Sequence, residues 1–303
     1  MEKHSCSNAN EYLFRTKIYG RKIKKSVVKK SKKPIICIVS PTSLSQVANV
    51  PVIASVVDVA SDATKVYAAC GYSGFGLFDV ANLTSLRLTG RLEFLSLHSR
   101  ALAKIGSHVF LANADAGGAG IAAIRVDSAS PQLVGTNTQY VPYGLSSDGT
   151  YLVVADSNPS ISPEKARFSV LNAASAPALS LTGQLTNPEG GYRAYHAVMS
   201  GNRAYFSDSA GIHVVDAART ASPQRRGNVT ITGQPFAIAI ANSGKHLLVA
   251  NGAVEASEGW TGGVSIIDVQ DPDRPIFVRT LFPGARVEDV EVVGNLAYLA
   301  CFS

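Results

Sequence analysis

The chain has 303 residues, of which 46% are hydrophobic and 17% charged, a balance that suits a folded protein and argues against general disorder. Its apolar residues never run unbroken for the roughly 18 positions a membrane helix needs, so no helical span is expected. The formal net charge of +6 hides an asymmetry: residues 1–34 carry eleven Lys or Arg against Glu2 and Glu11, whereas residues 35–303 carry 17 basic and 20 acidic groups.

In chain order, the first segment is this basic tail, residues 1–34, with its densest run at Arg21–Lys33. Such a run reads as a solvated, disordered extension, as a contact for nucleic acid or an anionic surface, as a nuclear address, or as the result of a start codon assigned too far upstream. It does not read as a secretory signal. Pro34-Ile-Ile-Cys-Ile-Val39 is too short for the apolar core of one. The four cysteines, Cys6, Cys37, Cys70 and Cys301, have no zinc-type spacing and form no disulfide framework.

From residue 35 onward one strand pattern recurs, an apolar stretch with a central large residue followed by small ones. Its central positions are Tyr67, Phe110, Val153, Tyr205, Leu248 and Tyr298, separated by 43, 43, 52, 43 and 50 residues. A second strand follows each of the first five and ends on an Asx residue: Gly76–Asp79, Ile124–Asp127, Ser169–Asn172, His213–Asp216 and Ser265–Asp268. An Asx side chain there can accept a hydrogen bond from the backbone two residues on and start a turn, so the repeated acids read as turn formers and not as a metal ring. Four short strands per unit (A to D), a period in the low forties and no helical periodicity are the marks of propeller blades.

The expected fold is therefore all-β, a six-bladed β-propeller of four-stranded antiparallel blades over residues 35–303. Five units fit at 51–95, 96–140, 141–188, 189–234 and 235–284. Residues 285–303 supply strands A and B of a sixth, and Pro34–Val50 is expected to return as its strands C and D. The last blade would then be shared by the N- and C-terminal segments and leave no open edge. A chain cut short from a larger ring is the alternative.

Gly201-Asn-Arg-Ala-Tyr205 followed by Gly211-Ile-His-Val-Val-Asp216, with Gly294-Asn-Leu-Ala-Tyr298 repeating the first half, resembles the LVIVD-repeat propellers. The resemblance spans residues 35–303 on short motifs. It implies a propeller without shared catalytic residues and leans towards an extracytoplasmic location, whereas this chain's basic tail and lack of a signal segment depart from that pattern. Asn82-Leu-Thr84 and Asn228-Val-Thr230 are glycosylation sequons that matter only in a secretory pathway.

In a propeller, strand A lines the central channel. Placing strand A nine residues before the central position gives Asp58, Ala101, His196 and Asp289, with Gly144 and Ala237 best fitting units three and five. Asp58, His196 and Asp289 are candidate ligands for a divalent metal or an acid–base set; the bland reading is polar residues beside a wet channel. The long B–C connections are the second lead. Asp156 opens one of them, and Asn251, Glu255, Glu258 and Trp260 populate the other. Trp260 is the only tryptophan and reads as a macromolecular contact or as a lid on its own blade. Tyr143, at the start of unit three, completes the candidate binding set. Gly117-Gly-Ala-Gly120 lacks the context of a nucleotide loop, and no Walker, HExxH or Gly-x-Ser-x-Gly motif is present.

The favoured function is a non-catalytic, monomeric scaffold that binds a protein or peptide on its loop-rich face and carries no cofactor. The alternative is a lactonase-like hydrolase with a divalent metal in the channel. A weaker third reading gives the tail a nucleic-acid or anionic-surface contact.

Overall fold

The computed structural model describes residues 12–17, 35–39, 46–51, 56–82, 86–94, 97–115, 118–128, 130–158, 165–186, 192–217, 221–256, 259–281, 286–293 and 296–302. Their regular elements are all strands apart from one short 3-10 turn at Asn242–Gly244. Five four-stranded antiparallel sheets follow one another along the chain, each with its strands in the order A-B-C-D. Their A strands are Asp58–Ser61, Ser99–Ile105, Val141–Ser147, Ala194–Ser200 and Gln234–Ala241. Their B strands, starting at Lys65, His108, Tyr151, Arg203 and His246, are the recurring strand of the sequence. The expected Asx turns are present too: Asp79, Asn172 and Asp268 each accept a hydrogen bond from the backbone N–H two residues on, at 2.8–2.9 Å.

A sheet this small buries one face against each neighbouring sheet. Val153, Phe168, Ala197, Phe206 and Val215 form the core between sheets three and four, with the Phe168 and Phe206 rings 6.0 Å apart. Equivalent cores join the other consecutive pairs, from Tyr67 with Leu111 between sheets one and two to Ala250 with Val290 between the fifth sheet and Arg286–Val293. The outer strands are keyed as well. A Cβ on Gly90 would lie 2.1 Å from Pro131 of the next sheet, and one on Gly227 would lie 2.6 Å from Pro275. The D-strand glycine therefore makes room for the turn that follows strand C of the next blade. Arg279 takes that place in sheet five.

The last blade differs from the expectation. Arg286–Val293 and Leu296–Phe302 are its strands A and B, but the strand beside Leu296–Phe302 is Tyr12–Lys17, with Tyr12 opposite Cys301 and Lys17 opposite Leu296. Ile35–Val39, expected in that position, does pair with Gln46–Pro51 as the expected C–D hairpin would, but the two form a separate two-stranded sheet away from Leu296–Phe302. An unpaired edge takes the strand that reaches it. Tyr12-Leu-Phe14 offers a short apolar stretch, while Ile35–Val39 has a hairpin partner a few residues away. The sixth sheet thus has three strands, shared by the two ends of the chain, and among the described residues no core joins it to sheet one. Val57 and Val59 of sheet one are exposed. Residues 1–34 accordingly include one strand, and the lysine-rich run 21–33 lies outside the described residues.

Truncating Phe168 to Ala should cost about 3–5 kcal/mol in denaturant unfolding, as for other buried aromatic residues. Exposed Leu133→Ala on an outer strand should cost less than about 0.5 kcal/mol.

Candidate functional site

In sheets two to six the pairing of strand A with strand B slips by one residue at the same place. The skipped residues are Arg100, Tyr143, Tyr195, Phe236 and Glu288. Each is a β-bulge, which turns a side chain out of the pleat and is favoured at sheet edges and rims. All five are half-buried. They interact around the ring: the Arg100 guanidinium lies 5.2 Å from the Tyr143 ring centre, and the Tyr195 and Phe236 rings meet edge to face at 5.7 Å. Exposed Tyr72 and Tyr192 flank the same strand ends, and Tyr72 packs edge-on against His98 at 4.7 Å.

The residue after each bulge is the predicted strand-A position, which Asp58 holds in sheet one without a slip, and Asp58 and His196 reach the A strand of the following blade. Asp58 accepts the backbone N–H of Leu102 at 2.7 Å, and His196 Nδ1 accepts that of Ile238 at 3.2 Å. A Cβ on Gly144 would lie 2.6 Å from the His196 Cα, so glycine is what lets these two strands approach. Ala101 and Ala237 occupy the same column and are buried. Two of the three candidate ligands therefore act as clasps between blades.

Electrostatics gathers the three candidates about one axis. Asp289 of the sixth sheet interacts with Asp58 of the first and also with His196 of the fourth, a blade it does not adjoin. Asp58 is enclosed by protein yet still partly reached by solvent, as befits a group inside a channel. Desolvation raises its pKa to about 7, with Asp289 and Glu291 adding to the shift and the N–H groups of Leu102 and Val59 opposing it. Burial likewise raises Glu291, with Asp289 adding to it. Desolvation lowers His196, and Asp289 opposes that shift. Its Nδ1 is an acceptor, which leaves the ring proton on Nε2.

A metal would have to compete with contacts already made. One Asp58 oxygen accepts from Val59 N–H and the other from Leu102 N–H, and among the described residues no three His, Cys, Asp or Glu side chains are grouped to hold an ion.

The loop-borne candidates are divided differently from the sequence reading. Asp156 and Asn251 lie within strand B of sheets three and five and are fully buried. Asp156 is gripped by Arg167 Nε at 3.0 and 3.1 Å. Burial pushes it up to about 6, against the pull of that guanidinium. Asn251 donates to Ser265 Oγ at 2.6 Å. Asn113, hydrogen-bonded to Ser99, and Asp208, hydrogen-bonded to His213, hold the same place in sheets two and four. This column is a buried polar seam behind the bulges. The expected loop at 251–263 is mostly strand: His246–Ala256 and Gly259–Asp268 extend as one hairpin in which Glu255 pairs with Trp260. Glu258 lies outside the described residues. Tyr143 belongs to the rim. Arg100, Tyr195, Phe236 and Glu288 were not anticipated, although they stand one place before the aligned channel column, where a run of large side chains was legible.

No protein-family model and no curated protein matches the chain. Solved structures do. The β-propeller domain of Myceliophteria thermophila Cps50 (Swd1) is similar with a TM-score of 0.64 at 7% identity, covering 88% of this chain and 89% of that one. A chain of a mitotic checkpoint complex gives 0.63 at 13% identity, covering 89% and 82%. A putative 6-phosphogluconolactonase from Bacteroides uniformis gives 0.59 at 15% identity, covering 82% and 78%. At these identities the likeness defines the fold, and the fold is a β-propeller.

The raised Asp58 fixes the sign of a pH effect. Between its unfolded pKa near 3.8 and its folded value of about 7 the native state holds the extra proton. This stabilising contribution is complete below the lower value and is lost as pH rises through the upper one. Thermal and urea unfolding of wild type and Asp58→Asn at pH 5 and pH 8 should show the variant gaining about 2 kcal/mol relative to wild type at the higher pH.

Proposed function

We propose that this chain is a non-catalytic propeller that binds a protein or peptide across the channel face bearing the bulges and the B–C connections. The observation that carries the reading is the rim itself. A half-buried, mostly aromatic or charged side chain stands at the same bulged position in five successive blades. A bulge interrupts the ladder, and its repetition supplies a ring of large amphipathic side chains of the kind that anchor interfaces. The long hairpin carrying Trp260 rises from the B–C end of the same face. Neighbours of this fold include a chain from a mitotic checkpoint complex, which supports partner binding by analogy of fold alone.

The full ring in this reading has six blades, the last of them shared by the two ends of the chain. The LVIVD resemblance fits such a binding propeller. The basic run 21–33 is an added electrostatic contact for nucleic acid or an anionic surface, and the chain is a monomer.

A metal-dependent channel hydrolase is the second reading. It is favoured by the convergence of Asp58, His196 and Asp289, and a putative lactonase stands among the fold neighbours. Bound metal in the purified chain that disappears in Asp289→Asn, together with lactone turnover, would establish it in place of the scaffold.

The decisive comparison is affinity capture with the full chain and three variants. A partner held by wild type and by Leu133→Ala/Leu181→Ala on the outer strands, but lost by Tyr143→Ala/Tyr195→Ala and weakened by Trp260→Ala, is the expected result. Equal retention by the rim variant would remove the rim from the interface.

A further inference from the structure

The D strands are the outer edges of the blades, and five of them are built alike: Arg87–Leu92, Gln132–Asn137, Ser180–Thr186, Gln224–Val229 and Ile276–Leu281. In each, the pairing with strand C slips by one residue and skips Thr89, Val134, Thr182, Arg226 or Val278. A bulge on an edge strand hinders the sheet from continuing into another molecule, and polar side chains there do the same. In the first four blades the residues leading through the bulge are Arg87-Leu-Thr89, Gln132-Leu-Val134, Ser180-Leu-Thr182 and Gln224-Arg-Arg226. None of these triplets is wholly apolar.

The fifth blade keeps the bulge and lacks the polar guard. Its triplet is Ile276-Phe-Val278, and the three residues are 61%, 43% and 50% exposed. Consecutive apolar residues open to water are a liability unless something covers them. The change is confined to one blade, and the contact that seats the strand is retained, since Pro275 fills the space where a Gly227 Cβ would lie. The blade fold itself does not ask for it.

Arg279 is a second departure at the same place. The first four blades have Gly90, Gly135, Gly183 and Gly227 there, and beside Gly90 and Gly227 the turn of the next blade takes up the room. In the fifth blade the position holds an exposed arginine, which forms no ion pair among the described residues. Carboxylates of the preceding turn are engaged elsewhere. Asp273 accepts from Arg226 Nε and Nη2 at 2.6 and 2.7 Å, with Arg274 acting on it as well. Asp271 accepts the Asp273 N–H at 3.0 Å.

We propose that the outer strand of the fifth blade docks a peptide segment carrying apolar residues beside an Asp or Glu. The apolar side chains cover Ile276, Phe277 and Val278, and the carboxylate meets the Arg279 guanidinium, whose planar fork suits it. A charge beside an apolar patch selects the partner by sign. A second copy is a poorer occupant, because it brings the same arginine and the bulge at Val278 opposes edge-to-edge pairing. The chain's own basic run, Arg21–Lys33, has the wrong sign. Strand D lies at the opposite edge of the sheet from strand A, so this surface is separate from the channel rim.

The probe is a phage-displayed library of random peptides, selected on the immobilised full chain after depletion on Ile276→Gln/Val278→Thr. That variant carries residues which other blades hold at these positions, so it should keep the wild-type unfolding temperature. Recovered sequences should combine Leu, Ile or Phe with Asp or Glu. In fluorescence anisotropy a recovered peptide should bind the depleting variant about tenfold more weakly than wild type, and should bind Leu133→Ala/Leu181→Ala as it binds wild type. Arg279→Gln, and exchange of the peptide's acid for its amide, should each weaken binding about fivefold, and together no more than either alone. Absence of enrichment, recovered peptides without acids, or losses that add would overturn the inference. So would a dimer of the full chain in sedimentation that disappears in the depleting variant, since it would assign the strand to a second copy.

Discussion

A four-stranded sheet of this size has two apolar faces and no means of covering either one. Every blade here depends on the next to remove Val, Ile, Leu and Phe side chains from water, and burying each of them contributes about 1.5–3 kcal/mol. This dependence explains why consecutive sheets share cores such as Phe168 with Phe206, and why the D-strand glycines Gly90 and Gly227 yield space to the prolines that follow. At the axis the same requirement becomes polar. Strand A of one blade must approach strand A of the next closely enough for Asp58 to reach Leu102 N–H and for Gly144 to lie against His196. Hydrophobic faces hold the blades together, and the strand-A column sets how they meet.

Blade architecture was legible in the sequence because it is repeated. The 43-residue interval, the central aromatic or aliphatic position and the Asx turn after strand C each recur, and repetition separates a structural signal from coincidence. Closure occurs only once in the chain and had no such support. Ile35–Val39 resembles a C strand in composition, yet composition cannot say which of two apolar segments takes an edge; Tyr12–Lys17 takes it. The basic character of residues 1–34 masks the apolar Tyr12-Leu-Phe14 within them.

The site was half legible for a related reason. Asp58, His196 and Asp289 could be aligned because strand A keeps a fixed distance from the central residue of strand B. Their role as clasps depended on which backbone N–H lay across the blade boundary, information that no single strand contains. Asp156 and Asn251 looked like loop residues because they end an apolar run. Burial and the partners Arg167 and Ser265 make them supports instead. The rim had a readable column, but an aromatic residue before a channel position means little until a bulge turns it outward. Since the same slip in pairing places the rim residue and orients its successor, binding face and blade-to-blade contact arise from one feature of the backbone.

That common origin has a direct geometric consequence: positions one residue past the bulge in non-adjacent blades share an axis. In a background with Cys6, Cys37, Cys70 and Cys301 replaced by alanine, a flexible bis-maleimide added to His196→Cys/Asp289→Cys measures this. The account predicts an intramolecular cross-link in the monomer, absent from a control pair at outer-strand residues Leu133 and Leu181. Failure of the channel pair to cross-link, or cross-links that form only between molecules, would contradict it.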